Sequence, residues 1–208
     1  MIAGFEHERY YKMTNPIALF FEDEINAVVE TLKGGGVVLM PTDTIWGLSC
    51  LAADQKAVER IQHIKGRAPD KPFILLVDSI EMLKHYVEEL PPRIENLLVY
   101  HQRPITIVYP KGKNLPAHNI HTDGSVAIRV CNEPFCKEVI QRLGQPIVST
   151  SANRTDNPPP TTFLDIDEQI IKAVDYVVRY RQNDDTPKQP SPIFTYDAQN
   201  KLVPIRLP

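Results

Sequence analysis

Three cysteines, one tryptophan and no apolar run near eighteen residues set the first limits on this 208-residue chain. Cys50, Cys131 and Cys136 form neither a Cys-x-x-Cys pair nor the even set of a disulfide framework. They lie in or beside apolar segments and read as buried free thiols of a reducing, cytoplasmic setting. The missing apolar run excludes a membrane-spanning helix, so no membrane is expected among the partners. Glu6, His7, Glu8 and Arg9 leave no apolar signal core near the start. Basic residues are not in excess: 23 Lys and Arg against 26 Asp and Glu give a formal net charge of −3. That balance argues against a broad nonspecific nucleic-acid surface, while a local basic groove stays open. The chain also lacks an internal repeat, an interdomain linker and the Gly-x-x-x-x-Gly-Lys-Ser/Thr phosphate loop.

What is there suits one globular unit. Hydrophobic residues make up 42% and charged residues 24%, and the length suffices for a full core. Nineteen prolines exceed the usual share of about 5% and stand mostly at segment edges, among them Pro41, Pro72, Pro104, Pro134 and Pro146. Helix and strand signals alternate. Ile25, Val28, Val29 and Leu32 follow helical spacing, stopped by Gly34-Gly35-Gly36, and Val37–Met40 reads as a buried strand. Asp54 caps a helix carrying Val58, Ile61 and Ile64, Phe73–Val77 is a strand, and Ser79 caps a short helix. Pro91–Tyr100 is helical. Strands follow at 105–109 and 126–130, a helix at 134–143 closed by Gly144, and a strand at 147–149. Phe163–Ala173 reads as helix, Tyr176–Tyr180 as β-rich, and 193–196 and 202–205 as short strands. Gln182–Pro192 is polar and proline-rich and reads as a mobile loop. The fold class is α/β, a single domain spanning 1–208 with a twisted mixed sheet flanked by helices.

Three polar clusters follow apolar strand-like runs, where such folds collect binding groups. Pro41-Thr42-Asp43-Thr44 offers hydroxyls and a carboxylate; alone it reads equally as a turn closed by side-chain bonds to backbone. Lys65-Gly66-Arg67 with Lys71 offers cations, which either complement the helix dipole or converge on phosphate oxygens. Ser149-Thr150-Ser151-Ala152-Asn153 offers hydroxyls and an amide, with a turn as its other reading. Gly34-Gly35-Gly36 ends a helix and precedes a strand, the reverse of a phosphate loop, so helix capping explains it. Trp46 is expected in the core or at a pocket edge. His118, His121 and Asp123 would need a helix to hold a metal, and Pro116, Asn119 and Gly124 make that segment a loop, so no metal ligand set is assigned. No Ser–His–Asp or Cys–His arrangement stands out, and no covalent nucleophile is expected.

Read jointly, the clusters resemble the YrdC-type threonylcarbamoyl-adenylate synthase family in its short form, without the C-terminal extension. The resemblance rests on Pro-Thr-Asp-Thr-Ile-Trp-Gly-Leu at 41–48, Lys-Gly-Arg at 65–67, Lys-Pro at 71–72 and Ser-Ala-Asn at 151–153. Pro-Ile-Thr-Ile-Val at 104–108, Val-Ala-Ile-Arg-Val at 126–130 and Pro-Pro-Pro-Thr-Thr at 158–162 support it. It implies a YrdC/RibB-like fold, core motifs over 34–162 and a variable tail over 182–208. It further implies a nucleotidyltransferase that joins L-threonine, bicarbonate and ATP, with Mg²⁺, into threonylcarbamoyl-adenylate and pyrophosphate for threonylcarbamoyladenosine in tRNA. RNA or tRNA-modification proteins would be its macromolecular partners. By the same resemblance Lys65, Arg67, Lys71, Thr106, Asn153, Thr161 and Arg206 would hold ATP and its phosphates. Thr44, Ser151 and Ser191 would contact threonine or its carbamate. Two departures stand out: Trp46 replaces a tyrosine, and Ser191-Pro192-Ile193-Phe194-Thr195 replaces Ser-Thr-Val-Val-Asp. A non-catalytic RNA-binding module, or a related enzyme acting on another small acid, remain the alternatives.

Overall fold

The structure is a computed structural model in which residues 16–68 and 72–207 are described. Helices α1 (Pro16–Phe20) and α2 (Glu22–Lys33) come first, and Ile25, Val28, Val29 and Leu32 form the buried stripe of α2. Gly34 ends α2 by donating its N–H to Glu30 O, and Gly35 at φ +79° turns the chain into β1 (Val38–Met40). Only glycine takes that conformation without strain.

Strand β2 (Gly47–Leu51) was not expected from sequence. Its Gly, Ser and Cys are poor strand formers, and pairing on both sides overrides that weakness. It runs antiparallel to β1 and to β6 (Ile147–Ser151), with Ser49 opposite Ser149. Helix α3 (Gln55–Lys65) is capped by Asp54, which accepts from Ala57 N, and is ended by left-handed Gly66. After it come β3 (Ile74–Val77), α4 (Ile80–Tyr86) capped by Ser79, and α5 (Pro92–Tyr100). Strand β4 (Thr106–Tyr109), β5 (Val126–Val130) and α6 (Pro134–Leu143), ended by left-handed Gly144, complete the middle of the chain.

The expected helix over 163–173 shortens to α7 (Glu168–Ala173). Asp165 accepts hydrogen bonds from Thr161 and Thr162, which holds the preceding residues in a turn, and Asp167 caps the helix that remains. Strands β7 (Tyr176–Val177), β8 (Ile193–Tyr196) and β9 (Leu202–Arg206) follow. The described strands form one mixed sheet in the order β7-β1-β2-β6-β3-β5-β4-β8-β9. It does not close on itself, and helices pack against it.

Gln182–Pro192 has neither helix nor strand, as a loop should, but it is tied down along its length. Gln182 Nε2 donates to Val178 O, Thr186 N to Asp184 Oδ1, and Lys188 N to Thr161 O. The loop then delivers β8 parallel to β4, with Thr106 opposite Ile193. Within β2 and β6, Leu48, Cys50 and Val148 are fully buried, whereas Gly47, Ser149 and Ser151, one step out of phase, face a groove. Thr150, in phase with Val148, lines the groove too, and Ile147 and Ser49 are fully buried, so position along the strands adds to alternation in separating core from site.

Candidate active site

The groove has a volume of about 640 Å³, within the size range of ligand clefts, roughly 300–1,000 Å³. Its walls come from the loop after β1, the start of β2, both ends of α3's following loop, the end of β6 and the tail strands. Gly47 opens its depth: a Cβ there would lie 2.6 Å from Ser149 Oγ and 3.3 Å from Thr150 O.

Arg129, near the end of β5, forms the floor. It is 5% exposed, and its Nε stands 3.0 Å from Asp43 Oδ1 in a buried ion pair. The contact is charge-to-charge rather than an aligned hydrogen bond, since neither atom completes one. Nη1 donates to Ser191 Oγ at 3.2 Å and Nη2 to Thr42 Oγ1 at 3.4 Å. Above it, Thr42 Oγ1 donates to Ile45 O at 2.8 Å, which uses its proton. In the 3.1 Å pair with Thr44 Oγ1, Thr44 is therefore the donor. The Thr44 oxygen is left presenting lone pairs, so it suits an N–H or O–H group of a ligand.

Lys65 is placed differently from its expected role on phosphate. It is 2% exposed and does not line the groove. Its Nζ donates to Ser151 O at 2.5 Å and Asn153 O at 2.6 Å, with Asn153 Oδ1 at 3.5 Å. Thr155 N and Oγ1 in turn donate to Lys65 O. Left-handed Gly66 turns the chain away directly after it, which leaves Lys65 inside and puts Arg67 on the wall. Burial, with Arg67 adding repulsion, pushes the Lys65 pKa down to about 8. Arg67 donates Nη2 to Pro72 O at 3.1 Å and lies 4.7 Å over the Phe73 ring, so its plane is held as it borders the cleft.

The remaining expectations divide. Thr44, Arg67, Ser151, Asn153, Ser191 and Arg206 all line the groove. Thr106 sits beneath it, fully buried, with Oγ1 2.7 Å from Ser191 Oγ. Thr161 lines a small neighbouring cleft, with its hydroxyl on Asp165 rather than on the groove. Lys71 lies outside the described residues. Asn153 is oriented by donating Nδ2 to Asn157 O at 2.6 Å and Arg154 O at 2.9 Å. Trp46 is 6% exposed, packs 4.8 Å from Phe163 and shows an edge to the cleft, satisfying both roles expected of it.

Arg129 received no role from sequence, and Asp43 appeared there only as the carboxylate of its cluster, without a partner. The available signal was an arginine inside the apolar strand Val-Ala-Ile-Arg-Val, because a charge at such a position must find a partner when buried. Among the described residues no cluster of three or more His, Cys, Asp or Glu fits a metal ion. Asp43 already faces Arg129, and Asp123 is the one carboxylate among the groove-lining residues described, so the groove's donors do not build a Mg²⁺ cage.

An open mixed sheet with Arg67, Arg129, Arg206 and a row of hydroxyls around one groove defines a class: α/β proteins with a polar, cation-lined cleft at their strand ends. The chain belongs to the Sua5/YciO/YrdC family, described as telomere recombination, which it matches over residues 30–207. It is 34% identical over 185 residues to the threonylcarbamoyl-AMP synthase of Pseudoalteromonas translucida, covering 88% of this chain and 97% of that one. The putative threonylcarbamoyl-AMP synthase of Methanocaldococcus jannaschii is 34% identical over 163 residues, 76% of this chain and 75% of its own. Among solved structures, P. abyssi Sua5 complexed with L-threonine superposes with a TM-score of 0.75 at 27% identity. That match covers 89% of this chain and 54% of the Sua5 chain, so this protein spans about half of that one. E. coli YciO shares the fold, with a TM-score of 0.75 at 23% identity and 88% coverage of each chain. These relatives favour the enzyme over the RNA-binding alternative.

Proposed function

We propose that this protein is an L-threonylcarbamoyl-adenylate synthase, making the adenylate and pyrophosphate from L-threonine, bicarbonate and ATP, for threonylcarbamoyladenosine in tRNA. The observation that carries the reading is the meeting of Arg67, Arg129 and Arg206 with the Thr44 and Ser151 walls in one groove of sufficient size. In this reaction the threonine nitrogen loses a proton as it bonds to the carbon of carbon dioxide derived from bicarbonate. A carbamate oxygen then bonds to the α-phosphorus as the bond to pyrophosphate breaks.

Such a transfer depends on alignment and charge neutralisation rather than on a protein nucleophile. Arg67 and Arg206 offer planar forks to phosphate oxygens, a geometry that lysine does not reproduce. Lys71 is assigned to the same phosphates through the family resemblance. Thr44, with lone pairs turned outward, accepts a hydrogen bond from threonine. Lys65 contributes indirectly, by fixing the carbonyls of Ser151 and Asn153 and so the loop that meets the nucleotide. Mg²⁺ would accompany ATP as its counter-ion, held by the phosphate oxygens, and would supply further charge neutralisation there. The cytoplasm is the assigned location.

The test is pyrophosphate release by the purified chain. Release is expected to require threonine, bicarbonate and ATP together. ATP binding without such a requirement, or release driven equally by another small acid, would overturn the assignment.

A further inference from the structure

Ser191 was expected to touch threonine or its carbamate, yet its polar atoms are engaged elsewhere. The residue is 3% exposed. Its Oγ lies 2.7 Å from Thr106 Oγ1 and accepts from Arg129 Nη1 at 3.2 Å. Its carbonyl accepts from Arg206 Nη2 at 3.0 Å. One residue thus holds two guanidiniums, one by its side chain and one by its main chain. Pro190 and Pro192 flank it, and a proline ring fixes its own φ while restricting the residue before it. Pro192 O, next in the chain, accepts from Thr106 N at 3.1 Å, so β4 anchors the same segment twice.

The charge of Arg129 repels that of Arg206, both lining one groove, and Asp43 pairs with Arg129 while Asp123 lines the same groove. Without a tether Arg206, on the more exposed strand β9, would swing into solvent. We propose that Ser191 is a positioning residue, with Thr106 as its support, that clamps Arg129 and Arg206 into one rigid anion-facing pair. It acts on the ligand through the arginines rather than by touching it. The inference rests on the synthase reading for its kinetic arm alone. The prolines on either side are part of the device: they limit the ways the segment can move while two like charges pull on it.

Thr106 separates this role from direct contact, because it is fully buried and does not line the groove. Thr106→Val, which keeps the shape and deletes the hydroxyl, is expected to lower kcat/KM for pyrophosphate release about tenfold, as Ser191→Ala does. Thr106→Ser should restore it. The double variant Thr106→Val/Ser191→Ala should be no worse than Ser191→Ala alone, since both changes break one chain of contacts. Side-chain NMR of the full chain gives a readout that does not need turnover. In Ser191→Ala the Arg129 guanidinium signal should lose its solvent protection, while Arg206, held by the main-chain carbonyl, should keep it until Pro192 is changed to Gly. If Ser191→Ala lowers activity and Thr106→Val does not, Ser191 is a direct ligand and the clamp is refuted. Unchanged arginine signals in both variants refute it too. A wild type that releases no pyrophosphate would refute the synthase reading, and the NMR arm would still judge the clamp.

Discussion

Lys65 and Arg129 are both cations locked inside the frame, 2% and 5% exposed, and they are stabilised in opposite ways. Arg129 faces a carboxylate, Asp43, and two hydroxyls. Lys65 faces main-chain carbonyls and an amide oxygen. A full counter-charge keeps a buried guanidinium in place at the groove floor. Dipoles alone hold an ammonium less firmly, and its pKa falls to about 8. The floor of the groove is therefore an electrostatic device, and the Lys65 region is a mechanical one that shapes a loop.

The contrast can be broken most severely at the floor. Arg129→Met should leave Asp43 buried without its partner and cost about 3–5 kcal/mol of stability, together with all turnover. Urea unfolding measures the first, and a loss below ~1 kcal/mol would mean that Asp43 reaches water or a proton by another route. Arg67→Ala comes next. ATP affinity should fall by about 2 kcal/mol or more, while the unfolding midpoint stays near that of wild type. Calorimetric titration with ATP decides this, and unaltered affinity would return Arg67 to stacking on Phe73.

The smallest effect is expected at Lys65. Lys65→Met should cost about 1–3 kcal/mol by removing the ammonium donor from Asn153 O and from Ser151 O, which keeps its bond from Asn153 N. Its pH dependence sharpens the comparison. The Lys65 pKa is about 8 in the fold against 10.5 as the ordinary value, so across that window the unfolded chain holds a proton that the folded chain has released. Wild type should then gain stability relative to Lys65→Met as pH rises from about 8 to 10.5. A constant difference across those pH values would show that the two carbonyls keep the ammonium charged.

How far these features were legible in the sequence follows from where their causes lie. Helix α6 reads directly, because proline starts it, glycine ends it and its apolar spacing repeats at 3.6 residues. Strand β5 reads as an apolar run for the same local reason. The hydroxyl clusters were visible because strand-end loops collect polar groups. The inward turn of Lys65 was hidden, since it depends on one left-handed glycine and on carbonyls from a loop 86 residues away. The clamp on Arg206 was hidden too. It requires β8 to pair with β4, a partner distant in sequence, and only β-pairing brings Thr106 under Ser191.

Chain order adds a consequence for biosynthesis. Strand β9, which furnishes Arg206, and β8, which follows the loop that carries Ser191, occupy one edge of the sheet and are made last among the described residues. A ribosome-bound chain that has folded through β6 already has Arg67, Arg129 and Asn153, but its groove lacks a wall and the second half of its arginine pair. Because a domain generally folds as a unit, the groove gains its last wall only when β8 and β9 join the sheet. The groove is in that sense a feature of the whole sheet, closed by its outermost strands rather than by any one motif.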